Sequence, residues 1–264
     1  CAEGLYYKVV DSDDWLDEAG LKKLLACIRA HLRAGTLPDL YIADFVYEHV
    51  QDKTRYISSF RKKLPEGRLF SWEETRPLRL WKVLLMHALV YRTQLVREHG
   101  VPLPRHTFYV DNLFAYAPFP YAERIFYLGC TLYHYFIGRS DQSVTIENVV
   151  RRYGQQIRVM SLIFKAHSSE EFRCWSRPLR RQMSHYLDAF LMNTYFFTTA
   201  KDTPERRQAF GEMWAELKEN DIALWRRVRR LPKVALLNAL PWKLRGKVAT
   251  AAYLFLCKHV KLGL

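Results

Sequence analysis

The stretch that decides the fold reads Leu5-Tyr6-Tyr7-Lys8-Val9-Val10-Asp11-Ser12-Asp13-Asp14. Residues 5–10 are aromatic and β-branched, which predicts a buried strand, and the polar residues after them predict a loop. Asp11 and Asp13 are two carboxylates one residue apart, a hard oxygen site of the kind that Mg²⁺ or Mn²⁺ prefers. The same residues are typical of an acidic helix N-terminus, with Ser12 or Asp13 as the cap. On this stretch alone, both interpretations stay open.

Outward from this loop, the chain divides into a mixed front and a helical back. The predicted elements of the front are a helix at 16–32, strands at 40–50 and 55–60, a helix at 77–99, and extended or looped chain at 102–139. After Asp141 the hydrophobic pattern is helical to the end. We therefore predict an α/β unit with a mixed sheet over residues 1–144, followed by a helical C-terminal extension over residues 145–264.

The composition is that of a folded, positively charged protein. Hydrophobic residues make up 49% of the 264 residues, which excludes a disordered or collagen-like chain. Lys and Arg total 41 against 27 Asp and Glu, and the net charge of +14 favours an anionic partner such as nucleic acid, a phosphorylated substrate or an acidic membrane surface. No apolar run approaches 18 residues, so we predict no membrane span. The five scattered cysteines favour a reducing compartment.

Further motifs follow the acidic loop along the chain. They are Trp72-Glu73-Glu74-Thr75-Arg76, His106-Thr107-Phe108-Tyr109-Val110-Asp111-Asn112 and Tyr133-His134-Tyr135-Phe136-Ile137-Gly138-Arg139-Ser140-Asp141-Gln142-Ser143. Together with residues 7–15 they resemble, in the same order, the motifs of bacterial glycosyltransferase family 2, whose enzymes have the GT-A fold. The resemblance covers roughly residues 1–165. The family's first half, a Rossmann-like βαβ unit that holds the nucleotide, is expected to precede Cys1.

The resemblance implies a donor site built on the acidic loop. In it, Asp11 and Asp13 hold Mn²⁺ or Mg²⁺ together with the donor, and His134 is a further candidate ligand of the metal. Arg139 offers bidentate hydrogen bonds to the diphosphate. Gln142 belongs to the same loop, which is expected to fold over the donor phosphates. A single histidine in an aromatic strand is also typical of simple packing, so that interpretation of His134 stays open.

The resemblance also implies a general base and an acceptor site. Asp111 lies among aromatic residues, and partial desolvation raises the proton affinity of a carboxylate, as a base requires. The family's Glu-Asp pair is Val110-Asp111 here, so Glu73 or Glu74 is the substitute candidate for the base. An Asp-Asn turn between two strands is the structural alternative. Trp72 and Glu73 are predicted as a wall that contacts the acceptor sugar; the alternatives are core packing for Trp72 and an acidic cap for the helix at 77–99.

The helical back carries most of the clustered positive charge. Arginine and lysine crowd into residues 173–181 and 226–233, and Trp242 with a short apolar run at 249–256 follows them. Aromatic and aliphatic residues among cations are typical of a helix that lies on a membrane surface. The alternative is a solvated basic face over packed helices.

From these observations we predict inverting, metal-dependent transfer of a sugar from a nucleotide-diphosphate sugar, expected to be UDP-linked, to a glycan or lipid-linked acceptor in bacterial surface polysaccharide synthesis. The predicted location is the cytoplasm, at the inner face of the cell membrane. The alternative is a basic helical module that binds nucleic acid or serves as a scaffold without catalysis. Against nucleic-acid binding, the sequence shows no helix-turn-helix, zinc or RNP pattern.

Overall fold

A computed structural model of the protein describes residues 2–49, 53–79, 82–137 and 146–256. Within them a mixed sheet forms the front of the molecule. Its strands are β1 (Tyr6–Tyr7), β2 (Trp15–Leu16), β3 (Leu40–His49), β4 (Arg55–Ser58), β5 (Leu69–Phe70), β6 (Leu89–Arg92) and β7 (Ile125–Ile137). Three helices lie between the strands: α1 (Glu18–Arg33), α2 (Thr93–His99) and α3 (Val110–Tyr116).

The rest of the described chain is helical. The helices are α4 (Ile146–Arg151), α5 (Tyr153–Ala166), α6 (Ser169–Cys174), α7 (Arg177–Thr199), α8 (Pro204–Asn220), α9 (Ile222–Val228), α10 (Pro232–Asn238) and α11 (Trp242–Phe255). The long helix α7 is central, since α5, α10 and α11 all pack against it. The predicted α/β front with a helical C-terminal part is confirmed.

The strand order is β1-β6-β3-β7-β2, with β4 paired to β3 and β5 paired to β7. Strands β3 and β7 are parallel, with Leu40 opposite Ile125 and Val46 opposite His134. The other pairs are antiparallel. Because β1 is antiparallel to β6, and β6 to β3, the strands β1, β3 and β7 run in the same direction, and the chain after β1 continues toward the carboxyl ends of β3 and β7. Ligands of α/β proteins commonly bind at these ends of the strands.

The sheet is buried on both faces, which explains why β3 and β7 are apolar along most of their length. Helix α1 covers one face and lies so close to β7 that a Cβ on Gly20 would stand 2.0 Å from the carbonyl oxygen of Thr131. On the other face, one hydrophobic core joins Phe45 of β3 to Leu191 of α7 and continues into the C-terminal helices. Front and back therefore share a core. The predicted boundary between residues 144 and 145 lies outside the described residues and stays a prediction.

Two expectations about local structure are wrong. In the predicted helix at 77–99, residues 77–79 and 82–85 are irregular, and a 3₁₀ turn at Met86–Ala88, strand β6 and the short helix α2 follow them. Its apolar residues include a continuous buried run at 88–91, which suits a strand covered on both faces as well as a helix. The predicted buried strand at 5–10 is reduced to β1, which lies at the edge of the sheet and leaves Tyr7 37% exposed.

Candidate active site

The acidic loop follows β1 and lies against the carboxyl-terminal part of β7. Asp14 accepts a hydrogen bond from the Phe136 backbone N–H (2.8 Å) and one from the Tyr133 hydroxyl (2.5 Å). The same hydroxyl accepts the backbone N–H of Asp11 at 3.2 Å. These contacts hold the loop across the end of β7. Helix α1 is capped by Asp17, which accepts the Gly20 N–H at 2.7 Å, so Ser12 and Asp13 are not its cap.

Asp11, Asp14 and His87 form a group that has the geometry of a metal site. One ligand atom from each residue lies within 4.8 Å of the other two. His87 reaches the group from the 3₁₀ turn just before β6. Its side chain is buried, and its Nδ1 has no hydrogen-bond partner among the described residues. An unpaired buried nitrogen costs about 1–3 kcal/mol, and a metal would satisfy it. Two carboxylates and an imidazole therefore fit a divalent cation.

The electrostatics of the group differ from those of exposed side chains. Burial raises the pKa of Asp14 to about 6, and it also raises the pKa of Asp11, whose neighbour Asp13 adds to the effect. Burial, together with the charge of Lys8, lowers the pKa of His87 to about 3. The imidazole is therefore neutral at pH 7, which is the form that binds metals.

Lys8 connects the acidic loop to the turn that carries His87. Its ammonium donates to the carbonyl oxygens of Met86 (2.6 Å) and His87 (2.9 Å), and it lies 4.6 Å from the centre of the Tyr133 ring. Burial lowers the pKa of Lys8 to about 7, against the opposing effect of Asp11 and Asp14. A buried cation so close to two carboxylates offsets part of their mutual repulsion.

Asp111 lies in the first turn of α3, beside the same group. Burial raises the pKa of Asp111 to about 6, and the charge of Asp11 raises it further, so the two carboxylates are close enough to interact. The Asn112 amide donates to the Asp111 carboxylate at 3.3 Å, and the Tyr186 hydroxyl of α7 donates to the Asn112 side-chain oxygen at 3.1 Å. The environment is the desolvated one that the sequence predicted, on a helix rather than in a turn between strands. The role of Asp111 as base stays a prediction.

The structure does not bring two of the predicted metal ligands into this group. Asp13 is exposed and lies outside it, and Asp14 takes its place. The ring nitrogens of His134 face Glu48 (2.7 Å) and Asp17 (3.5 Å), and its ring stacks against Trp15. Because both nitrogens are engaged by carboxylates, the prediction of His134 as a ligand is not supported.

The predicted acceptor wall is also displaced. Trp72 is 3% exposed and stacks on Phe119 with ring centres 4.1 Å apart, so it packs in the core and offers no face to a sugar. Glu73 bonds to Ser176 at the start of α7. Tyr186, which contacts Asn112, is ten residues further along that helix, or about 15 Å. Glu73 and the Asn112 beside Asp111 therefore contact α7 ten residues apart. Arg139 and Gln142 lie outside the described residues.

Sequence reasoning missed His87, Asp14 and Lys8. Asp14 belonged to the stretch quoted at the start, residues 5–14, but nothing in the local sequence distinguishes the orientation of its side chain from that of Asp13. His87 lay inside the predicted helix at 77–99, so its position beside the acidic loop had no sequence signal. Lys8 was included in the predicted strand at 5–10, but in the structure β1 ends at Tyr7, one residue before Lys8.

No family model and no curated protein matches this chain. Among solved structures, the chain is similar to S. aureus TarS, with a TM-score of 0.54 and 17% sequence identity over 96% of this chain. The fold is glycosyltransferase-like. TarS is a glycosyltransferase, and the likeness at this identity is one of fold. The chain spans 41% of the length of the TarS chain.

Four of the basic residues of the helical back share one groove. Arg173 from the first predicted group and Arg226, Arg227 and Arg230 from the second line the same open groove. Beneath this surface the helices contribute to the core, since Val228 and Val234 are fully buried. No helix in the described ranges is both long and apolar enough to cross a membrane.

Proposed function

We propose that this protein transfers a sugar from a nucleotide-diphosphate sugar, UDP-linked, to a hydroxyl group of a glycan or lipid-linked acceptor in bacterial surface polysaccharide synthesis. The reaction is inverting and metal-dependent, of the kind carried out by glycosyltransferase family 2. One observation carries the proposal: Asp11, Asp14 and His87, whose Nδ1 is buried and unpaired among the described residues, gather near Asp111 and the carboxyl-terminal part of β7 in a GT-A-like sheet.

Asp11, Asp14 and His87 would hold Mn²⁺ or Mg²⁺. A cation bound there supplies positive charge that neutralises the diphosphate leaving group. Tyr133 and the Phe136 backbone N–H orient Asp14 toward this position, and Lys8 fixes the turn that carries His87. Arg139 and Gln142 are assigned to the donor phosphates by the family resemblance.

Asp111 would remove the proton from the acceptor hydroxyl. As the hydroxyl oxygen bonds to the anomeric carbon, the bond from that carbon to the diphosphate oxygen breaks, and the configuration inverts. A pKa of about 6 leaves Asp111 mostly ionised at pH 7 and more basic than an ordinary aspartate. The raised pKa thus suits the carboxylate to general-base catalysis at neutral pH.

The location that we propose is the cytoplasmic face of the cell membrane, on its anionic surface. The support is the basic groove of α6 and α9 together with exposed apolar residues on the last two helices, Leu236, Leu244, Leu254 and Phe255. Charged and apolar contacts of this kind add up at a lipid surface.

The test of the transfer reaction is UDP release from a panel of UDP-sugars with a polysaccharide or lipid-linked acceptor. We expect release in the presence of Mn²⁺ and none after chelation with EDTA. The control replaces Asp111 with asparagine in the same panel. If no donor yields UDP and no nucleotide diphosphate binds with Mn²⁺, the proposal is wrong.

The second candidate function is a nucleic-acid-binding or scaffold module without catalysis. The arginine groove favours it, because guanidinium groups neutralise phosphates. It predicts a DNA or RNA affinity that falls steeply with salt and does not respond to Mn²⁺. It offers no explanation for the carboxylates gathered beside His87.

A further inference from the structure

An apolar cavity lies between the sheet and the C-terminal helices. Its volume is about 420 Å³, within the usual range of small-molecule sites. Its walls come from β3, β4 and residues 82–85 on one side, and from α7, α10 and α11 on the other. Most of the side chains that line it are aliphatic or aromatic, among them Met192, Leu237 and Val248.

Two lysines interrupt this apolar lining. Lys82 donates to the carbonyl oxygen of Ser59 at 2.7 Å, and its ammonium carries three N–H groups in all. Lys233 follows at the start of α10, close to the buried Asp188. Burial lowers the pKa of both lysines. No aspartate or glutamate is among the described residues that line the cavity; the carboxylates that act on Lys82 and Lys233 are Asp44 and Asp188, which are buried and are not part of that lining.

The rim of the cavity is apolar and faces water. Leu236 is 60% exposed and Phe255 is 57% exposed, and both line the cavity. Exposed apolar groups at the mouth of an apolar cavity mark a binding site when a matching ligand can cover them. An aliphatic chain entering the cavity would cover both side chains.

We infer that this cavity binds an anionic amphiphile, with one hydrocarbon chain along the apolar walls and a phosphate group on Lys82 and Lys233. The inference concerns binding alone and does not depend on the transfer reaction. The cavity is nevertheless close to the candidate active site. Tyr47 lines it, the Tyr47 and Tyr135 ring centres are 5.7 Å apart, and Tyr135 stacks on His87 at 4.3 Å.

The probes are dodecyl phosphate, dodecanol and inorganic phosphate, titrated calorimetrically into the full chain. We expect dodecyl phosphate to bind, dodecanol to bind ~10-fold more weakly, and inorganic phosphate alone not to bind measurably, because the chain and the charge each contribute. Inorganic phosphate that bound as tightly as dodecyl phosphate would overturn the proposed hydrocarbon contact.

Two neighbouring alanines of α11 give a matched pair of variants. Ala252 lines the cavity, whereas Ala251 is exposed and does not. Ala252→Trp should fill the cavity and weaken dodecyl phosphate binding by ~10-fold or more, while Ala251→Trp should bind as the parent does. Circular dichroism verifies that both fold, and Ala189→Leu fills the cavity from α7 with a smaller side chain. Equal binding by the Ala252, Ala251 and Ala189 variants would overturn the inference.

The charge is tested separately with Lys82→Met, which keeps the length of the side chain. We expect a ~10-fold loss for dodecyl phosphate and little change for dodecanol; Lys247→Met, at an exposed lysine of α11, is the control. A parallel titration with UDP and Mn²⁺ separates the two proposals. If the parent protein binds UDP but not dodecyl phosphate, the inference about the cavity is wrong. If it binds dodecyl phosphate but not UDP with Mn²⁺, the proposed transfer reaction is wrong.

Discussion

The acidic loop that follows β1 and the groove lined by Arg173, Arg226, Arg227 and Arg230 carry opposite charges and are built in opposite ways. Asp14 and Asp111 are partly buried, and desolvation raises the pKa of each to about 6. Arg226 and Arg230 are exposed to water on a short helix and the turn that follows it. Concentrating like charges in a small, dry volume costs stability, whereas spreading charge over a wet surface costs little. The first arrangement suits chemistry at defined atoms, and the second suits attraction at a distance.

The largest effect is expected at the loop itself. Asp14→Asn should abolish the thermal stabilisation by Mn²⁺ and UDP together, because it removes one of the few metal ligands and the phosphates cannot compensate. Asp13→Asn removes the same charge one residue away and should retain most of the stabilisation. Differential scanning fluorimetry with and without each ligand measures both. If the Asp13 variant loses the effect and the Asp14 variant keeps it, the ligand assignment is reversed.

The next effect concerns turnover. Asp111→Asn should lower kcat by at least ~10²-fold, the usual contribution of a general base, while UDP binding with Mn²⁺ stays close to that of the parent. Steady-state UDP release gives kcat, and titration calorimetry gives the affinity. Glu73→Gln is the comparison, since Glu73 bonds to Ser176 at the start of α7 and Asp111 lies beside Asn112, which contacts Tyr186. A loss of turnover in the Glu73 variant alone would show that the base has been misassigned.

A smaller effect is expected on the basic surface. Replacing Arg226, Arg227 and Arg230 together with glutamine should weaken co-sedimentation with phosphatidylserine vesicles about tenfold at low salt, since each cation near an anionic surface contributes about 1 kcal/mol and the three engage only in part. High salt should remove the difference. Deleting the helices would not test this, because Val228 and Val234 belong to the core.

The matched control for this surface is the same change of charge on α1, at the exposed residues Lys22, Lys23 and Arg29. If both triple variants lose binding equally, the attraction reflects net charge and not the groove. If neither triple variant loses binding, the arginine groove does not attract the anionic membrane surface.

The smallest effect is on stability. The folded pKa of Asp111 is about 6 against an ordinary value of 3.8, so the folded state binds more protons between these values. The contribution of Asp111 therefore falls as pH rises from 4 to 6 and remains unfavourable above 6. Asp111→Asn should raise stability by about 2 kcal/mol at pH 8, a few degrees in Tm, and leave it unchanged near pH 4.

Glu73→Gln is the control for that measurement, because the pKa shift of Glu73 has the opposite sign. Hydrogen bonds from Ser71 and Ser176 lower the pKa of Glu73, so removing its charge should bring no gain at pH 8. Thermal melts of both variants at the two pH values are sufficient. An Asp111 variant that is less stable than the parent at pH 8 would contradict a desolvated carboxylate at this position.

The sequence by itself determined the α/β front and the helical back, and it predicted Asp11 and Asp111 as acidic groups, which the structure places close enough to interact. These inferences depend on local patterns: the hydrophobic period, the polar residues that end a strand, and the aromatic residues near Asp111. The helix predicted at 77–99 was wrong for a related reason, since a short apolar run fits a strand buried on both faces equally well.

Only the tertiary structure decided which side chains meet. Asp14 joins the metal group because Tyr133 and Phe136, more than a hundred residues away, bond to it across the end of β7. His87 joins it because β6 is placed between β1 and β3 in the sheet. Trp72 leaves the predicted site because it stacks on Phe119 in the core. The direction of a loop side chain depends on partners distant in the chain, and hydrophobic periodicity contains no information about those partners.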